Sequence, residues 1–282
     1  MRVLDWIRPQ HLHRAALWLM MVAAGSAWAQ VIQVEPTNKG FFASPLPTTT
    51  FLFEAADARG TLIFIPGGEG RVGMRPGMTS NHGYFSTYHF NMMLRSLAEL
   101  SGGARFNVVI FDSPVDLHNA QHWSGARTTT EHLSRVEDVI RHYRDRLGKP
   151  VWLMGHSLGS ISVTELFKRL KDAGTDSLLA GLIVSGGQNG TSLPYEATRL
   201  PVLVLHHEKD ECAGNTVAHA RRLHERLRAA GNASAELAIV SAGTPSPDSS
   251  NVCRSGYHMY YGAGTTVTAV LDRFMSAHTP AR

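Results

Sequence analysis

The most informative stretch of the sequence is Val151-Trp152-Leu153-Met154-Gly155-His156-Ser157-Leu158-Gly159. Its first four residues are apolar, as in a buried strand, and from Leu158 onward apolar side chains recur at helical spacing. A serine between these two patterns needs an unusual backbone conformation, and the neighbouring glycines leave room for a tight turn. We therefore predict a strand, a sharp turn that exposes the Ser157 hydroxyl, and a helix.

Short apolar runs on both sides of this stretch continue the alternation of strands and helices. The other predicted strands of the main sheet are residues 61–65, 107–111, 182–184, 202–205 and 237–240. Because these runs are nearly all apolar, both faces of the sheet should be buried. An earlier run, residues 50–53, precedes the turn-prone segment 57–60, which predicts an antiparallel hairpin at the edge of the sheet.

Apolar residues at helical spacing lie between the strands. Such stripes occur within residues 90–100, 133–147, 158–170, 217–227 and 267–274. For the helix at 217–227, Asn215 is the predicted N-cap and Gly231 the predicted end. Strands alternating with amphipathic helices predict one α/β domain with helices on both faces of a mostly parallel sheet. The segment 67–89, rich in Gly, Met and polar residues, is a candidate substrate-facing loop.

A serine hydroxyl is a weak nucleophile near neutral pH, so it needs a base, which in turn needs a carboxylate to orient it. Asp210 follows one predicted strand, and His258 follows the last one, just before the final helix. Each of the three residues lies beyond the carboxyl end of a predicted strand. The chain order Ser157, Asp210, His258 is the one required when a serine, its orienting carboxylate and its base meet at one edge of a parallel sheet. Glu208 and Glu211 flank Asp210 and are alternative carboxylates.

These residues resemble those of the α/β-hydrolase superfamily, and the resemblance extends from about residue 50 to the final helix. It implies the α/β-hydrolase fold, with a mostly parallel sheet of about eight strands and helices on both faces. It also implies that Ser157 is the nucleophile, His258 the base and Asp210 the residue that orients the base. The connection between the strands at 182–184 and 202–205 is short, so no large cap domain is expected there.

Acyl transfer also needs two donors aimed at the oxygen that becomes negative. The backbone N–H of Leu158 is the first candidate. The turn Pro66-Gly67-Gly68-Glu69-Gly70 resembles the family's His-Gly-rich turn, with Pro66 in place of the usual His. Gly68 is the preferred second donor, and Glu69 is the alternative.

The amino-terminal segment predicts export. Arg2, Arg8 and Arg14 precede an uncharged run, residues 15–29, which ends in Ala27-Trp28-Ala29. This pattern predicts a signal peptide at 1–29 and a single mature domain at 30–282. An anchoring helix is the alternative, but the run is shorter than the roughly 20 residues that cross a bilayer. We expect a periplasmic or secreted protein with no stable membrane anchor.

The two cysteines, Cys212 and Cys253, fit an oxidising compartment, in which an even pair persists as a disulfide. Two separate buried thiols are the alternative. A bridge would connect the loop that carries Asp210 to the loop that carries His258. By chain-entropy arguments it would stabilise the fold by about 4 kcal/mol.

The composition and the residue spacings argue against several functions. The 282 residues include 27 Lys and Arg against 23 Asp and Glu, an excess of +4. Loss of Arg2, Arg8, Arg14 and Asp5 with the signal would reduce it to +2, which is too small to indicate nucleic acid binding. The histidines fit no compact metal motif, and the Gly-rich turn fits no nucleotide motif; the histidines considered are His82, His89, His118, His122 and His132.

The predicted function is that of an exported serine hydrolase that cleaves a carboxylic ester through an acyl-serine intermediate. A peptidase, a thioesterase or an acyltransferase could use the same triad, and a non-catalytic binding protein could keep the same fold. The expected partner is a small-molecule or acyl-bearing substrate, and the mechanism needs neither a metal nor an organic cofactor. The sequence specifies no oligomeric state.

Overall fold

The computed structural model describes residues 28–38, 45–74, 105–114, 123–245, 249–254 and 256–279. These residues contain one eight-stranded sheet. Its strands are β1 (Trp28–Val34), β2 (Thr48–Glu54), β3 (Gly60–Ile65), β4 (Phe106–Asp112), β5 (Val151–His156), β6 (Gly181–Ser185), β7 (Val202–His207) and β8 (Ala235–Val240). The helices are α1 (Trp123–Ala126), α2 (Thr130–Leu147), α3 (Gly159–Asp172), α4 (Val217–Ala229) and α5 (Gly264–His278).

The sheet is mostly parallel, as predicted. Its strand order is β1-β2-β4-β3-β5-β6-β7-β8. All neighbouring pairs from β4 to β8 are parallel, whereas β2 is antiparallel to both β1 and β4. The carboxyl ends of the parallel strands therefore meet at one edge, where residues from different loops can form a site.

The predicted edge hairpin is wrong. Strand β2 does not pair with β3, although only a short turn separates them, because β4 lies between the two strands. Phe51 and Leu52 point to opposite faces of β2 and are both fully buried. A strand with two buried faces is stabilised by hydrogen-bonding partners along both edges, and β1 and β4 supply them.

Helices cover both faces of the sheet and enclose two apolar cores. One core contains side chains of α2, α3 and α4 against one face, and the other contains side chains of α5 against the opposite face. Burying a large apolar side chain contributes roughly 1.5–3 kcal/mol, so these two layers stabilise the sheet between them. None of the described helices combines the length and apolar character needed to cross a membrane.

Most predicted helices are present in the structure, with one error at a cap. The N-cap of α4 is Thr216, whose side chain accepts the N–H of His219 at 3.2 Å. Asn215 is buried and instead donates its side-chain amide to the Gly186 carbonyl at 2.5 Å. The buried carbonyl needs that donor, which explains why the neighbouring threonine caps the helix. The predicted helical stripe at 90–100 lies outside the described residues.

Candidate active site

Ser157 lies in the turn between β5 and α3. Its φ is 53°, in the left-handed region that residues other than glycine seldom adopt. Its N–H donates to the Ser185 carbonyl at the end of β6 at 2.9 Å, and its carbonyl accepts the Ser160 hydroxyl at 2.6 Å. A conformation of this kind costs about 1–3 kcal/mol and persists only where the surroundings impose it. The predicted strand, turn and helix are therefore present, with Ser157 at the turn.

The glycines around Ser157 are required by close packing. A Cβ on Gly155 would lie 2.2 Å from the Gly159 carbonyl oxygen, and a Cβ on Gly159 would lie 2.2 Å from the Ile65 oxygen. These distances are far below van der Waals contact, so a side chain on Gly155 would push β5 away from the start of α3, and one on Gly159 would push the turn away from the end of β3. The glycine pattern thus brings the serine turn and the loop after β3 together.

Asp210 and His258 form a buried pair. The Nδ1 atom of His258 lies 2.7 Å from Oδ2 of Asp210, and both side chains are almost completely shielded from solvent. The other oxygen of Asp210 accepts the Cys212 N–H at 2.9 Å. Glu208 and Glu211, the alternative carboxylates, are exposed. Because Nδ1 of His258 faces the carboxylate, its Nε2 atom lies on the side of the ring away from Asp210.

Gly186 links the serine to the histidine. It follows Ser185, whose carbonyl binds the Ser157 N–H, and a Cβ on Gly186 would lie 3.5 Å from Cε1 of His258. Within the described residues, Nε2 of His258 is buried and has no hydrogen-bond partner. Ser–His hydrogen bonds are often long without substrate and tighten when substrate binds. The three residues therefore lie at one edge of the sheet, without a direct Ser157–His258 hydrogen bond.

The proposed oxyanion donors border the same serine. Leu158 immediately precedes α3, and its N–H donates to no backbone acceptor in the described part of the chain. A Cβ on Gly67 would lie 2.7 Å from Cβ of Ser157, so the turn after β3 touches the serine. Gly68, with a φ of 54°, and Glu69 are both partly exposed there. Both stay candidates for the second donor.

A family model described as "Alpha/beta hydrolase family" matches residues 62–245, more than half of the chain. The protein belongs to this family. The matched residues include Ser157 and Asp210, whereas His258 follows them. A sequence comparison with curated proteins gives no match.

Solved structures share the fold of this alpha/beta hydrolase at low sequence identity. A dienelactone hydrolase from Anabaena variabilis aligns with a TM-score of 0.57 and 14% identity, covering 90% of this chain and 99% of its own. An esterase from Pyrococcus furiosus aligns with a TM-score of 0.58 and 9% identity, covering 90% and 94%. A serine hydrolase without a lid from Xanthomonas campestris aligns with a TM-score of 0.55 and 14% identity, covering 90% of this chain and 97% of its own. At these identities the likeness concerns the fold.

A disulfide connects the loop that carries Asp210 to the loop that carries His258. Cys212 and Cys253 are bonded, with their Cα atoms 4.7 Å apart. Cys212 lies two residues after Asp210 and donates its N–H to that carboxylate, while Cys253 lies five residues before His258. The predicted pairing is confirmed, and it limits how far the two loops can separate.

Two further buried histidines, His156 and His206, lie beside Asp210 and His258. Nε2 of His206 lies 3.3 Å from Oδ2 of Asp210, within ion-pair distance but without hydrogen-bond geometry. The ring of His156 lies 4.8 Å from that of His258, centroid to centroid. Burial lowers the pKa of His206 and holds the pKa of His156 well below its ordinary value. Both rings are therefore neutral near pH 7. The four-residue spacing between His206 and Asp210 is the one feature of the sequence that could have indicated their contact.

Asp112 is another residue that sequence reasoning missed. It ends β4, and its two oxygens accept the N–H groups of Val72 and Met74, each at 2.6 Å. Burial raises the pKa of this carboxyl. Asp112 thus fixes the later part of the loop after β3. No local motif marks it, because its partners lie about 40 residues away in the chain.

The described residues include no group of three or more His, Cys, Asp or Glu side chains arranged to hold a metal ion. Of the five histidines considered as ligands, only His132 is described, and its Nε2 lies 2.8 Å from the Ser162 hydroxyl. The candidate substrate loop is described as far as Met74, and its remainder, residues 75–89, lies outside the described ranges. His82, His89, His118 and His122 lie outside them as well.

Proposed function

We propose that the protein is an exported serine hydrolase that cleaves a carboxylic ester through an acyl-serine intermediate. Ser157 is the nucleophile, His258 the general base and Asp210 the carboxylate that orients His258. The substrate is a small molecule that carries an acyl ester. The comparison that favours an ester is the shared fold with proteins named as esterases and as a dienelactone hydrolase.

In the proposed reaction, Nε2 of His258 removes the proton from the Ser157 hydroxyl as its oxygen attacks the ester carbonyl. Asp210 holds the Nδ1–H tautomer and stabilises the imidazolium that forms. The N–H of Leu158 and that of Gly68, or of Glu69, stabilise the negative oxygen. The C–O bond to the alcohol then breaks, and His258 returns the proton to the leaving alcohol. Water, activated by the same base, releases the acid and restores Ser157.

The observation that carries this proposal is a buried His258–Asp210 pair next to a serine in a left-handed backbone conformation. The φ of Ser157 is 53°, and Nε2 of His258, which has no hydrogen-bond partner among the described residues, is the atom that a serine proton would need. A strained serine beside a buried, oriented imidazole favours a nucleophile over an ordinary turn residue.

Export is part of the proposal. The Cys212–Cys253 disulfide supports an oxidising compartment. We propose removal of residues 1–29, a single mature domain at 30–282, and neither a membrane anchor nor a nucleic acid partner. Strand β1 starts at Trp28, so this cut would leave the five residues 30–34 paired with β2. Mass spectrometry of protein recovered from the periplasm or the medium should find Gln30 as the amino terminus.

The decisive test is labelling with a fluorophosphonate, which reacts with activated serines. The folded protein should be labelled, and Ser157→Ala should not. Labelling that persists in Ser157→Ala, or folded wild type that is not labelled, would reject the proposed nucleophile and favour a binding protein on the same fold.

Substrate class is tested by comparing turnover of p-nitrophenyl esters of graded chain length with matched thioesters and peptides, with and without an alcohol acceptor. We expect the highest kcat/KM for an ester in water. Faster cleavage of a thioester or a peptide, or preferred transfer to the alcohol, would reject ester hydrolysis as the main activity.

A further inference from the structure

The side chain of Arg127 binds the turn from Pro66 to Gly70 through two backbone carbonyls. Nη2 of Arg127 donates to the carbonyl of Pro66 at 2.8 Å and to that of Gly68 at 3.0 Å. Its Nη1 donates to the Ser162 hydroxyl at 3.1 Å. A Cβ on Gly70 would lie only 2.6 Å from Nη2, so the guanidinium fits closely against the turn.

Burying the charged side chain of Arg127 is energetically unfavourable. Only 2% of its surface is exposed, and in the described part of the chain its hydrogen-bond partners are neutral oxygens rather than a carboxylate. Burial lowers the pKa of Arg127 to about 10, so the side chain is still charged near pH 7. An unpaired buried cation destabilises a fold, so this guanidinium is expected to have a role at the turn other than stability.

The geometry of the peptide group connects Arg127 to the proposed oxyanion donors. In a trans peptide the C=O and N–H bonds point in opposite directions, and no cis bond occurs among the described residues. Holding the Gly68 carbonyl therefore directs the Glu69 N–H away from the guanidinium. The Gly67 carbonyl accepts the Gly70 N–H at 2.9 Å, which fixes the Gly68 N–H in the same way. Both candidate donors thus belong to peptide planes that the turn and Arg127 orient.

We propose that Arg127 is a positioning residue, which holds the Pro66 and Gly68 carbonyls so that the N–H groups of the turn face the oxygen that becomes negative when Ser157 attacks. This inference rests on the proposed function. Arg127 touches no substrate atom in this scheme. Preorganised donors stabilise the transition state more than the bound ester, so the contribution of Arg127 should reside in kcat.

Arg127→Met tests the proposal, because methionine keeps an unbranched apolar stem and removes every donor. With p-nitrophenyl acetate, kcat should fall about 10- to 100-fold while KM changes less than about threefold, as expected for displaced donors. Affinity for an alkyl trifluoromethyl ketone, which forms a negative oxygen when it adds to the serine, should fall in parallel with kcat.

Arg135→Met is the matched control. Arg135 is also buried and also donates to a backbone carbonyl, but it lies on α2 and the carbonyl it binds is that of Leu46, outside the turn. It should lose stability while keeping the wild-type kcat. An equal loss of kcat in the two variants, or a kcat for Arg127→Met within twofold of wild type, would overturn the proposal.

Arg127→Lys decides the matter if Arg127→Met does not unfold cooperatively. Lysine keeps the charge but lacks the planar fork, so kcat and ketone affinity should still fall, and a wild-type kcat would overturn the inference. Fluorophosphonate labelling separates this result from failure of the proposed function. Wild type that lacks Ser157-dependent labelling rejects the function, whereas labelled wild type with unaffected Arg127 variants rejects only the inference.

Discussion

The elbow region, residues 66–70 and 155–159, and the acid–base region, residues 206–212, 253–254 and 256–260, meet at the same edge of the sheet but are fixed by different contacts. Close glycine packing and the Arg127 hydrogen bonds hold the elbow region. The hydrogen bond between His258 and Asp210 and a disulfide hold the acid–base region.

The position of each region in the sheet explains the difference. The elbow region follows β3 and β5, which are neighbours inside the sheet and have partners on both edges. The acid–base region follows β7 and β8, and β8 is the last strand of the described sheet. A loop beyond an edge strand is flanked on one side only, so a covalent link restrains it where packing alone would not.

The largest expected effect tests whether the two regions act as one unit. Ser157→Ala and His258→Ala should each lower kcat for p-nitrophenyl acetate on the order of 10⁴- to 10⁶-fold, because in the proposed reaction the hydroxyl proton passes to the imidazole. The double variant should be no slower than either single variant. His278→Ala, a histidine at the end of α5, serves as the control. Additive losses in a kinetic double-mutant cycle would separate the two regions.

A smaller effect should follow a change confined to the elbow region. Gly159→Ala places a methyl group 2.2 Å from the Ile65 oxygen, so it should move the turn and lower kcat on the order of 10²-fold. The free energy of unfolding should fall by about 1–3 kcal/mol. At Gly190, outside the site, an added Cβ meets nothing within 4 Å. Gly190→Ala should keep the wild-type kcat, and equal kcat values for the two variants would contradict the packing argument.

A still smaller effect on turnover should follow loss of the disulfide in the acid–base region. Cys212→Ser and Cys253→Ser should each lower the free energy of unfolding by about 2–4 kcal/mol. They should lower kcat by about 3- to 10-fold with little change in KM, because the Asp210–His258 hydrogen bond is less well oriented. Chemical denaturation and steady-state kinetics measure the two effects. Unchanged kcat in both variants would remove the preorganising role of the bridge.

The smallest effect concerns the pH dependence of stability. Burial lowers the pKa of His206, so the folded state keeps this ring neutral while the unfolded state, with a pKa near 6.5, takes up a proton. Stability should therefore be full above about pH 7 and decline as the pH falls below 6.5, by up to about 1.4 kcal/mol per pH unit for one such group. Urea denaturation between pH 8 and pH 5 measures this slope. His206→Gln should flatten it, and an unchanged slope would assign it to other groups.

Much of the fold and of the candidate site follows from local patterns. The apolar runs predict all six parallel strands; five of them, β3 to β7, are buried along their whole length, and a strand buried on both faces is apolar throughout, whatever its neighbours are. The glycines around Ser157 predict the turn because the required backbone conformation and close packing concern a few adjacent residues. The order of Ser157, Asp210 and His258 selects these residues because each follows a strand whose end lies at one edge.

Contacts between distant segments could not be predicted in the same way. The sequence places residues 50–53 next to β3, but the structure pairs β2 with β1 and β4, since strand pairing depends on which edges are free in the folded sheet. Arg127 lies about 60 residues from the carbonyls it binds, and no motif marks it.

The sequence by itself determined the elements, the strained serine turn and the candidate triad, because backbone preference and hydrophobic period act over a few neighbouring residues. Tertiary structure alone decided the order of the strands near the amino terminus, the contact of His206 with Asp210 and the Arg127 hydrogen bonds to the turn after β3. These depend on long-range packing, in which each buried polar group binds the partner that the fold brings within reach.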